Sequence, residues 1–405
     1  MYYHFNKDIF IVKGATSNCI YDLPNNRLHK IGNDAYNVLL SVINGLPITN
    51  QAELQFLDAL TKLGLVSVVN SPVCDYVSIE EAYSYKRELD FAWIEITNRC
   101  NLRCIHCYNE HATLPKTVLS LDNFKYIVDQ LCSIGVKKIQ LIGGEPFLIQ
   151  RDTLFAMMDY LSPKVKGFEI FTNGTIATFN DWTEIKERYP NVSVATSLHS
   201  YLKEEHQKVT QVNDSFCKTE QTLQTLKELN IPYRFVGTYI DGINIGIDNG
   251  IGEPSRRDFV RLSGRANLSL YDDNLLKKRI INEKSVHSGN LRERLKSIYE
   301  ESCFAIHLYI GSDLRVYPCP MERRLCHGNI KDRGLNELLN PSILNYSKNN
   351  VDGCKDCEYR YICRDCRPDS LKGELTEKPW YCTYDPYTGK WESFEEFKQR
   401  ILSFK

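Results

Sequence analysis

The chain has 405 residues, of which 42% are hydrophobic and 25% are charged, and its formal net charge is -1. This length predicts two or three domains, and the composition is ordinary for a globular protein. The near-zero charge, without a basic stripe or tail, argues against binding to nucleic acids or membrane surfaces. No apolar run is long enough to span a membrane, and the start, MYYHFNKDIF, lacks the features of a secretory signal. We therefore expect a cytoplasmic protein.

The first segment, residues 1–72, is predicted to begin with two short strands, IFIVKG and CIYDL, separated by turn residues. Two amphipathic helical patterns follow, AYNVLLSVING and AELQFLDALTKLG, and each ends at a glycine. The apolar run LVSVV follows the second of them. This order suggests a small winged-helix-like module. Residues 73–90, rich in Glu, Tyr and Ser, are predicted to form a linker helix.

The second segment alternates between strand and helix patterns, which predicts an α/β fold with a parallel sheet, open or closed into a barrel. Chemistry in such folds gathers at the C-terminal ends of the strands. The predicted strands are 91–97, 137–143, 168–174, 192–198, 233–240 and, more weakly, 258–264; the predicted helices are 121–135, 151–162, 180–188 and 215–229.

The fifteen cysteines are unevenly distributed along the chain. In a reducing cytosol, clustered cysteines are more often metal ligands than disulfides, and the odd number and tight spacing point the same way. Cys100, Cys104 and Cys107 come directly after the first strand of the second segment. Three thiolates this close can hold an iron–sulfur cluster that keeps one iron open for a substrate or cofactor. Zinc completed by His106 or His111 is the alternative that the spacing leaves open.

The stretch ITNRCNLRCIHCYNE resembles the first loop of the radical S-adenosylmethionine (SAM) superfamily, and the resemblance covers about 91–265. It implies a partial (β/α)6 barrel and a [4Fe–4S] cluster whose fourth iron is chelated by the amine and carboxylate of SAM. It further implies that the reduced cluster cleaves SAM, and that the resulting 5′-deoxyadenosyl radical abstracts a substrate hydrogen.

Gly143, Gly144, Glu145 and Pro146 follow the second strand of this segment and resemble the GGEP loop of that family. The resemblance implies a site for the methionine part of SAM. Glycines there let the backbone approach the cofactor, and a carboxylate such as Glu145 can pair with its ammonium group.

Thr172 and Asn173 end the third strand and resemble the TNG motif of the family, which lies near the cofactor. Ser197 takes the position that commonly bonds the ribose; a strand-end hydroxyl that bonds its own backbone is the alternative. His106 takes the place of the usual aromatic residue near the adenine, and Tyr108 is expected to share that surface.

The third segment, residues 300–405, has short strands and little periodicity, so bound metal is expected to supply the missing stability. It contains the series Cys354-x2-Cys357-x5-Cys363-x2-Cys366-x15-Cys382, whose spacing suits iron–sulfur clusters and zinc equally. Upstream, LYIGSDLRVYPC resembles a hairpin that ends at a cysteine.

Together these features resemble the SPASM extension of radical SAM enzymes, which implies two auxiliary [4Fe–4S] clusters and three clusters in all. By this resemblance the outer cluster has the ligands Cys354, Cys357, Cys363 and Cys382, and the inner one has Cys303, Cys319 and Cys366. Either Cys326 is the fourth ligand of the inner cluster, or the fourth iron of that cluster has no protein ligand and stays open for substrate. The usual ending Cx2Cx5Cx3C is Cx2Cx5Cx2C here, which puts the ligand sets in doubt. Cys19, Cys74, Cys132 and Cys217 are expected to be small buried hydrophobic residues.

The N-terminal segment resembles the RiPP recognition element of enzymes that mature ribosomally made peptides. That module adds a leader peptide as a strand at an exposed sheet edge; a domain that only braces the barrel is the alternative. With CEYRYICRDCRPD, the chain is most similar to maturases of grasp-with-spasm peptide systems. The domains expected are 1–72 (leader binding), 73–90 (linker helix), 91–299 (radical SAM core) and 300–405 (SPASM).

The resemblance implies an enzyme that installs a thioether or carbon–carbon crosslink in a precursor peptide. Its electrons would come from a low-potential donor such as ferredoxin or flavodoxin, and Tyr239 and Asp241 are candidate polar participants after the fifth strand. A sulfatase-maturating type of enzyme, a peptide epimerase and a non-catalytic zinc-binding adaptor are the alternatives.

Overall fold

The computed structural model describes residues 1–83, 88–109, 115–248, 250–299, 303–363 and 366–403. These residues divide into two compact units. The terminal unit contains residues 1–86, 280–302 and 346–405, and the barrel unit contains residues 87–279 and 303–345. No helix within the described ranges is both long enough and apolar enough to cross a bilayer.

The strands are short, as is usual for proteins of this size. They are β1 (Tyr2–Phe5), β2 (Ile9–Val12), β3 (Asn18–Asp22), β4 (Arg27–Ile31), β5 (Val66–Val69), β6 (Phe91–Thr97), β7 (Lys138–Gly143), β8 (Gly167–Thr172), β9 (Val192–Ser197), β10 (Tyr233–Tyr239), β11 (Arg256–Phe259), β12 (His307–Ile310), β13 (Arg315–Tyr317), β14 (Gly328–Asn329), β15 (Tyr384–Asp385) and β16 (Lys390–Trp391).

The α-helices range in length from a single turn to 14 residues. The full set among the described residues is α1 (Asn33–Ile43), α2 (Gln51–Lys62), α3 (Ile79–Ala82), α4 (Leu121–Ser133), α5 (Arg151–Leu161), α6 (Phe179–Arg188), α7 (Lys203–Thr210), α8 (Ser215–Glu228), α9 (Asp273–Arg279), α10 (Glu283–Val286), α11 (Leu291–Tyr299), α12 (Cys303–Ile306), α13 (Leu335–Leu338), α14 (Pro341–Leu344) and α15 (Phe394–Leu402).

The barrel unit is built on one nine-stranded sheet in the order β11-β10-β9-β8-β7-β6-β12-β13-β14. Strands β6 to β11 pair in parallel and in chain order, β12 adds to β6 in parallel, and β13 and β14 continue as antiparallel strands. The α/β class with a parallel sheet is therefore confirmed. The strand order is that of a partial (β/α)6 barrel.

Alternation along the strands decides which side chains reach the barrel interior, because successive side chains point to opposite faces. In β6, Ala92, Ile94 and Ile96 belong to the large apolar core that the sheet shares with α4 and α5. Trp93 and Glu95 therefore lie on the other face. Trp93 packs there with a separate small cluster that contains Tyr309.

The terminal unit contains both ends of the chain. Strands β2, β3 and β4 form a three-stranded antiparallel sheet, and β1 pairs with β5. One apolar core joins Phe10 and Tyr21 of this sheet to Tyr359, Ile362 and Tyr384 near the C-terminus. Residues from the predicted first and last domains thus share a core. The predicted domain boundaries stay predictions.

Most predicted strands and helices coincide with observed ones. The strand predicted at 258–264 lies instead at Arg256–Phe259, and the described part of the predicted linker helix is helical only over Ile79–Ala82. Strands β1 and β4 were not predicted. β4 mixes charged and apolar residues in a hairpin with β3, so its pairing partner decides its structure more than its sequence does.

Candidate active site

The loop with Cys100, Cys104 and Cys107 leaves the C-terminal end of β6, and all three cysteines are partly buried. Neighbouring backbone holds this loop in place. The amides of Arg103 and Ile105 each donate to carbonyls at the end of α7, with N···O distances of 3.0 Å. Two backbone hydrogen bonds therefore attach this loop to the end of α7.

The two glycines after β7 allow the next loop to lie directly on the cysteine loop. A Cβ atom on Gly144 would be 2.1 Å from the Arg99 carbonyl oxygen and 2.8 Å from the Cys100 nitrogen. A Cβ atom on Gly143 would be 2.2 Å from the Thr97 carbonyl oxygen. Two backbone hydrogen bonds close the contact, from Gly144 to Thr97 (2.8 Å) and from Glu145 to Arg99 (2.7 Å). Glycine is required here for close backbone approach.

Glu145 is fully buried and links the ends of β7 and β8. Its carboxylate accepts hydrogen bonds from the Thr172 hydroxyl (2.7 Å), the Asn173 amide (2.7 Å) and the Phe147 amide (3.1 Å). Burial is the largest influence and raises the pKa of Glu145 to about 7, although the three donors oppose it. A carboxylate has about four acceptor sites, so one remains for a further donor such as an ammonium group. Pro146 follows in a 3-10 turn and is buried.

A side-chain network ties the cysteine loop to the end of β8. Asn173 donates to the side-chain oxygen of Asn101 (2.8 Å), and Asn101 donates to the Thr175 hydroxyl (2.8 Å). The Asn173 and Gly174 carbonyls accept bonds from Thr219 and Thr222 of α8. The TNG segment thus positions the loop that carries the cysteines.

Three histidines lie beside the cysteine loop. The ring of His106 meets that of His199 edge-on, with centroids 4.7 Å apart, and His206 lies 5.5 Å beyond His199. Burial is the main cause that lowers the pKa of His106 and of His206 to about 4, so both rings are neutral at pH 7. His106 thus has a ring contact of its own where the family has an aromatic residue.

Several buried polar atoms of this region have no hydrogen-bond partner within the described part of the chain. They are His106 Nδ1, Thr196 Oγ1, His199 Nδ1, His206 Nε2, Arg257 Nη2 and Ser263 Oγ. Buried polar groups are nearly always bonded to protein, water or a ligand. Ser263 precedes Gly264, where a Cβ atom would lie 2.4 Å from the Cys107 carbonyl oxygen. A set of unsatisfied groups next to the cysteine loop fits a polar ligand such as a nucleoside.

The three thiols of the cysteine loop are partly buried. Burial, the largest cause, raises the pKa of Cys100 to about 11 and of Cys104 to about 12, so bound metal is needed to keep them as thiolates. His111 lies outside the described residues.

Of the remaining predicted cofactor and substrate residues, Ser197 and Tyr239 end strands, whereas Tyr108 and Asp241 lie in loops. Ser197 ends β9 and is partly exposed, and Tyr108 directly follows Cys107. Burial of its phenol raises the pKa of Tyr108. Tyr239 ends β10 and packs on the Phe259 ring (5.5 Å), whereas Asp241 is exposed in the following turn. Their roles stay predictions.

Four cysteines of the terminal unit lie close enough to influence one another. Burial is the main cause that raises the pKa of Cys354 to about 11, and the thiols of Cys382 and Cys363 raise it further. Burial and the same two thiols also raise the pKa of Cys357. Lys348 Nζ donates to Cys363 Sγ at 3.4 Å. These are the four ligands that the resemblance implies for the outer cluster.

The inner ligand set is only partly described. Cys319 is half-buried and accepts the Met321 amide at 3.4 Å, and Cys326 is exposed. Cys366 is half-buried, and its amide donates to the Tyr381 hydroxyl at 3.0 Å. The side chain of Cys303 lies outside the described part of the chain. The inner ligand set stays a prediction.

The expectation for the four unpaired cysteines was wrong in two cases. Cys19 is buried and Cys132 half-buried, but Cys74 and Cys217 are exposed. Cys217 is on the solvent side of α8, and Cys74 is in an extended segment. Thiols of intermediate polarity tolerate both environments, so residue type alone did not decide their burial.

Sequence reasoning missed several residues that shape this site. Asn101 and Thr175 carry the network between loops, and His199 and His206 extend the histidine contact. Glu95 was missed because it lies within FAWIEIT, which the sequence pattern predicts only as a buried strand. The one available signal was its charge, since an acidic residue inside a buried strand requires partners.

Comparison with known proteins identifies the barrel. Residues 94–247 match the family model of the Radical SAM superfamily. The antilisterial bacteriocin subtilosin biosynthesis protein AlbA of Bacillus subtilis (strain 168) is 31% identical over 140 residues, which are 35% of this chain and 31% of that protein. AdoMet-dependent heme synthase of Methanosarcina barkeri (strain Fusaro / DSM 804) is 23% identical over 346 residues, covering 73% of this chain and 96% of that protein.

Among solved structures, native anSMEcpe with bound AdoMet and Kp18Cys peptide has a similar fold. The TM-score is 0.52 at 17% identity, covering 78% of this chain and 98% of that one. Residues 94–247 therefore form a radical SAM domain. The domain implies SAM and a [4Fe–4S] cluster as cofactors. The match spans less than a third of the length of AlbA.

Proposed function

We propose that this enzyme matures a ribosomally made peptide by radical SAM chemistry, with installation of a thioether or carbon–carbon crosslink. The observation that carries the chemistry is the contact of the glycine loop with the cysteine loop, at the strand ends of a radical SAM domain. The similarity to AlbA, named as a bacteriocin biosynthesis protein, supports a peptide substrate. The anSMEcpe neighbour, whose structure contains a peptide, supports it too.

Cys100, Cys104 and Cys107 would hold the cluster to which SAM binds. When bound, these cofactors together supply the 5′-deoxyadenosyl radical that takes a hydrogen atom from the substrate. Glu145, held by three donors, would receive the ammonium group of the cofactor at its remaining acceptor site. Gly143 and Gly144 leave the backbone free for close approach.

The nucleoside part would lie among the unsatisfied polar groups beside the loop. Thr196, Ser263 and the ring of His106 supply buried donors and acceptors there. Neutral His106 and Tyr108 would contact the adenine, and Ser197 the ribose. Thr172 and Asn173, which bond to Glu145 and Asn101, would act through them as positioning residues.

Two auxiliary clusters are part of the proposal. Cys354, Cys357, Cys363 and Cys382 would bind the outer one, as their mutual influence on pKa supports. Cys303, Cys319 and Cys366 would bind the inner one, with Cys326 as its fourth ligand or with one iron open to a substrate thiolate. The auxiliary centres would take up the second electron of the oxidation. Tyr239 and Asp241 would face the substrate.

The leader peptide would bind at strand β4. This strand is at the edge of its sheet and, among the described residues, pairs only with β3. A cavity of about 290 Å³ lies beside it, lined by Asn26, Arg27, Leu28, His29, His287 and Leu291. An edge strand with an adjacent pocket suits a peptide added as a further strand. The electron donor would be a ferredoxin or flavodoxin in the cytoplasm.

The first experiment tests the cofactors. Anaerobically reconstituted protein is expected to contain about twelve iron atoms per chain, as three cubanes require, and to form 5′-deoxyadenosine with dithionite. The variant with Cys100, Cys104 and Cys107 all changed to Ala should retain about eight iron atoms and form none. A wild-type protein without iron and sulfide, or without SAM cleavage, contradicts the proposal.

The second experiment tests the substrate. A short peptide encoded beside the gene is co-expressed anaerobically and weighed by mass spectrometry, where each crosslink removes two hydrogens. Incorporation of an α-carbon deuterium from heavy water without loss of hydrogens would indicate an epimerase instead. The control is the same peptide with the triple Ala variant.

Deletion of residues 1–72 is a poor test of leader binding. Phe10, Val12 and Tyr21 share a core with Tyr359 and Tyr384, so the deletion would expose apolar surface near the outer cluster ligands. Charge reversal at the edge strand, Arg27→Glu, leaves that core intact because Arg27 is exposed. Leader affinity should fall while SAM cleavage without peptide is unchanged. Equal leader affinity in the variant would argue for a bracing role.

A second function deserves a direct comparison because the heme synthase relative aligns over 96% of its own length. The name of that relative indicates that it makes a small molecule, heme. The match covers 73% of this chain. Turnover of a porphyrin substrate, with no change in any peptide, would favour this function over peptide maturation.

A further inference from the structure

We propose that Glu95 is a positioning residue that fixes the inner auxiliary cluster segment to the first strand of the barrel. This inference rests on the proposed function, since it assigns Cys319 to a cluster. Glu95 lies in β6, five positions before Cys100, and is 6% exposed. A carboxylate in such a place requires partners, and the structure provides them from three separate segments.

The first partners belong to the cysteine loop and to the hairpin of β12 and β13. Asn109, two residues after Cys107, donates to Glu95 Oε2 at 3.3 Å. Ser312, in the hairpin turn, donates its hydroxyl (2.6 Å) and its amide (3.2 Å) to Oε1. One carboxylate therefore joins the loop after the first cysteine group to the hairpin that leads to Cys319.

The third segment is reached through Tyr309. Its hydroxyl donates to Glu95 Oε2 at 2.7 Å and accepts a hydrogen bond from Arg323 Nη2 at 2.6 Å. Arg323 also lies over the rings of Tyr309 and Tyr317, at 4.1 and 4.9 Å from their centroids, and 3.9 Å from Glu95 itself. Glu95, Tyr309 and Arg323 thus form one connected group.

Arg323 lies between Cys319 and Cys326, in a segment with little regular structure. Within the described residues, this segment has a single isolated bridge, from Cys319 to Glu322. A loop without helix or strand depends on side-chain anchors for its position. The Arg323 side chain supplies such an anchor, and Glu95 provides the opposing charge.

The carboxylate is ionised in this environment. Burial alone raises the pKa of Glu95, but the hydrogen bonds from Ser312 and Tyr309 and the charge of Arg323 outweigh it, so the pKa lies below its ordinary value. Replacing Glu95 by Gln removes the charge and one acceptor while preserving the shape. The anchor should loosen without loss of the fold.

The experiment compares Glu95→Gln with a matched control, Glu169→Gln. Glu169 also forms an ion pair with an arginine of the barrel, Arg234, at 2.7 and 2.8 Å, and accepts a hydrogen bond from Gln140; the strands of both partners carry no predicted cluster ligand. Each variant is made in wild-type enzyme and in the triple Ala variant that lacks Cys100, Cys104 and Cys107. The second background isolates the auxiliary signals in electron paramagnetic resonance of the reduced protein.

In the triple Ala background, Glu95→Gln should change the g-values and midpoint potential of one auxiliary signal, and Glu169→Gln should change neither. In the wild-type background, peptide turnover should fall at least tenfold in Glu95→Gln while SAM cleavage without peptide stays within twofold. Glu95→Asp should restore part of the turnover. Auxiliary signals and turnover equal to those of Glu169→Gln would overturn the inference.

The two proposals fail in different ways. If the triple Ala variant holds no iron, the three-cluster proposal fails before Glu95 is tested, and the positioning role fails with it. If auxiliary iron is present and Glu95→Gln leaves its signals unchanged, only the positioning role fails. An equal loss of SAM cleavage and peptide turnover also overturns it, because Glu95 would then act on the first cluster.

Discussion

Gly144→Ala tests the contact between the glycine loop and the cysteine loop. The added Cβ atom would lie 2.1 Å from the Arg99 carbonyl oxygen, and both atoms nearest to it belong to backbone. Such a contact is relieved only when the loops separate by about 1 Å, because close-packed backbone has no room to yield. The separation would strain the hydrogen bonds from Gly144 to Thr97 and from Glu145 to Arg99.

The magnitude follows from these two effects. Overpacking of this kind costs about 1–3 kcal/mol, and each lost backbone hydrogen bond costs about 0.5–1.5 kcal/mol net. A combined cost of about 3–4 kcal/mol corresponds to a fall of roughly 100- to 1000-fold in SAM cleavage.

The assay is 5′-deoxyadenosine formation with dithionite, measured anaerobically with equal iron content in each sample. Gly32→Ala is the control, because a Cβ atom there would meet nothing within 4 Å and its φ of -77° suits any residue. The control should match the wild type. SAM cleavage by Gly144→Ala within about threefold of the wild type would refute the reasoning.

Three further predictions concern buried charges. The pKa of Glu145 is raised to about 7, so the folded chain keeps a proton that the unfolded chain loses above about 4.5. The contribution of Glu145 to the free energy of unfolding should therefore fall by roughly 3 kcal/mol as the pH rises from about 4.5 to 7. This fall is measured in apoprotein as faster hydrogen exchange of the β8 amides. It should be absent in Glu145→Gln. The fully buried carboxylate of Glu358 accepts hydrogen bonds from the hydroxyls of Ser17 (2.5 Å) and Tyr384 (2.6 Å). Glu358→Ala should destabilise the terminal unit by about 2–4 kcal/mol, and an unchanged thermal midpoint would contradict this. Lys348→Met should lower the midpoint potential of the outer cluster by tens of millivolts, since a positive donor to a ligand sulfur favours the reduced state; a potential that stays or rises would count against the ligand assignment.

Much of the barrel could be predicted from the sequence because its strands are strongly patterned. FAWIEIT and KKIQLIG are apolar runs that end at the cysteine and glycine motifs, so both the strands and the place of the site follow. The cysteine spacing predicted a metal site for the same reason, because closely spaced ligands are positioned by local geometry. The resemblance to radical SAM enzymes, rather than the spacing, implied that the metal is an iron–sulfur cluster. The boundary errors fall where the pattern is weak, at β11 and in the predicted linker helix.

The network around Glu95 could not be predicted. Ser312 and Arg323 lie more than two hundred positions after Glu95, and no pattern in the sequence pairs either of them, or Asn109, with it. Such contacts depend on which segments the fold brings together. The exposure of Cys74 and Cys217 was decided in the same way.

The sequence by itself determined the α/β class and the radical SAM motif. These properties are local, since strand alternation and ligand spacing operate over fewer than ten residues. Tertiary structure decided that Glu145 binds Thr172 and Asn173, and that the N-terminal sheet shares a core with the C-terminal cysteine region. Packing between distant segments creates these contacts, because burial requires each polar group to find whichever partner the fold places beside it.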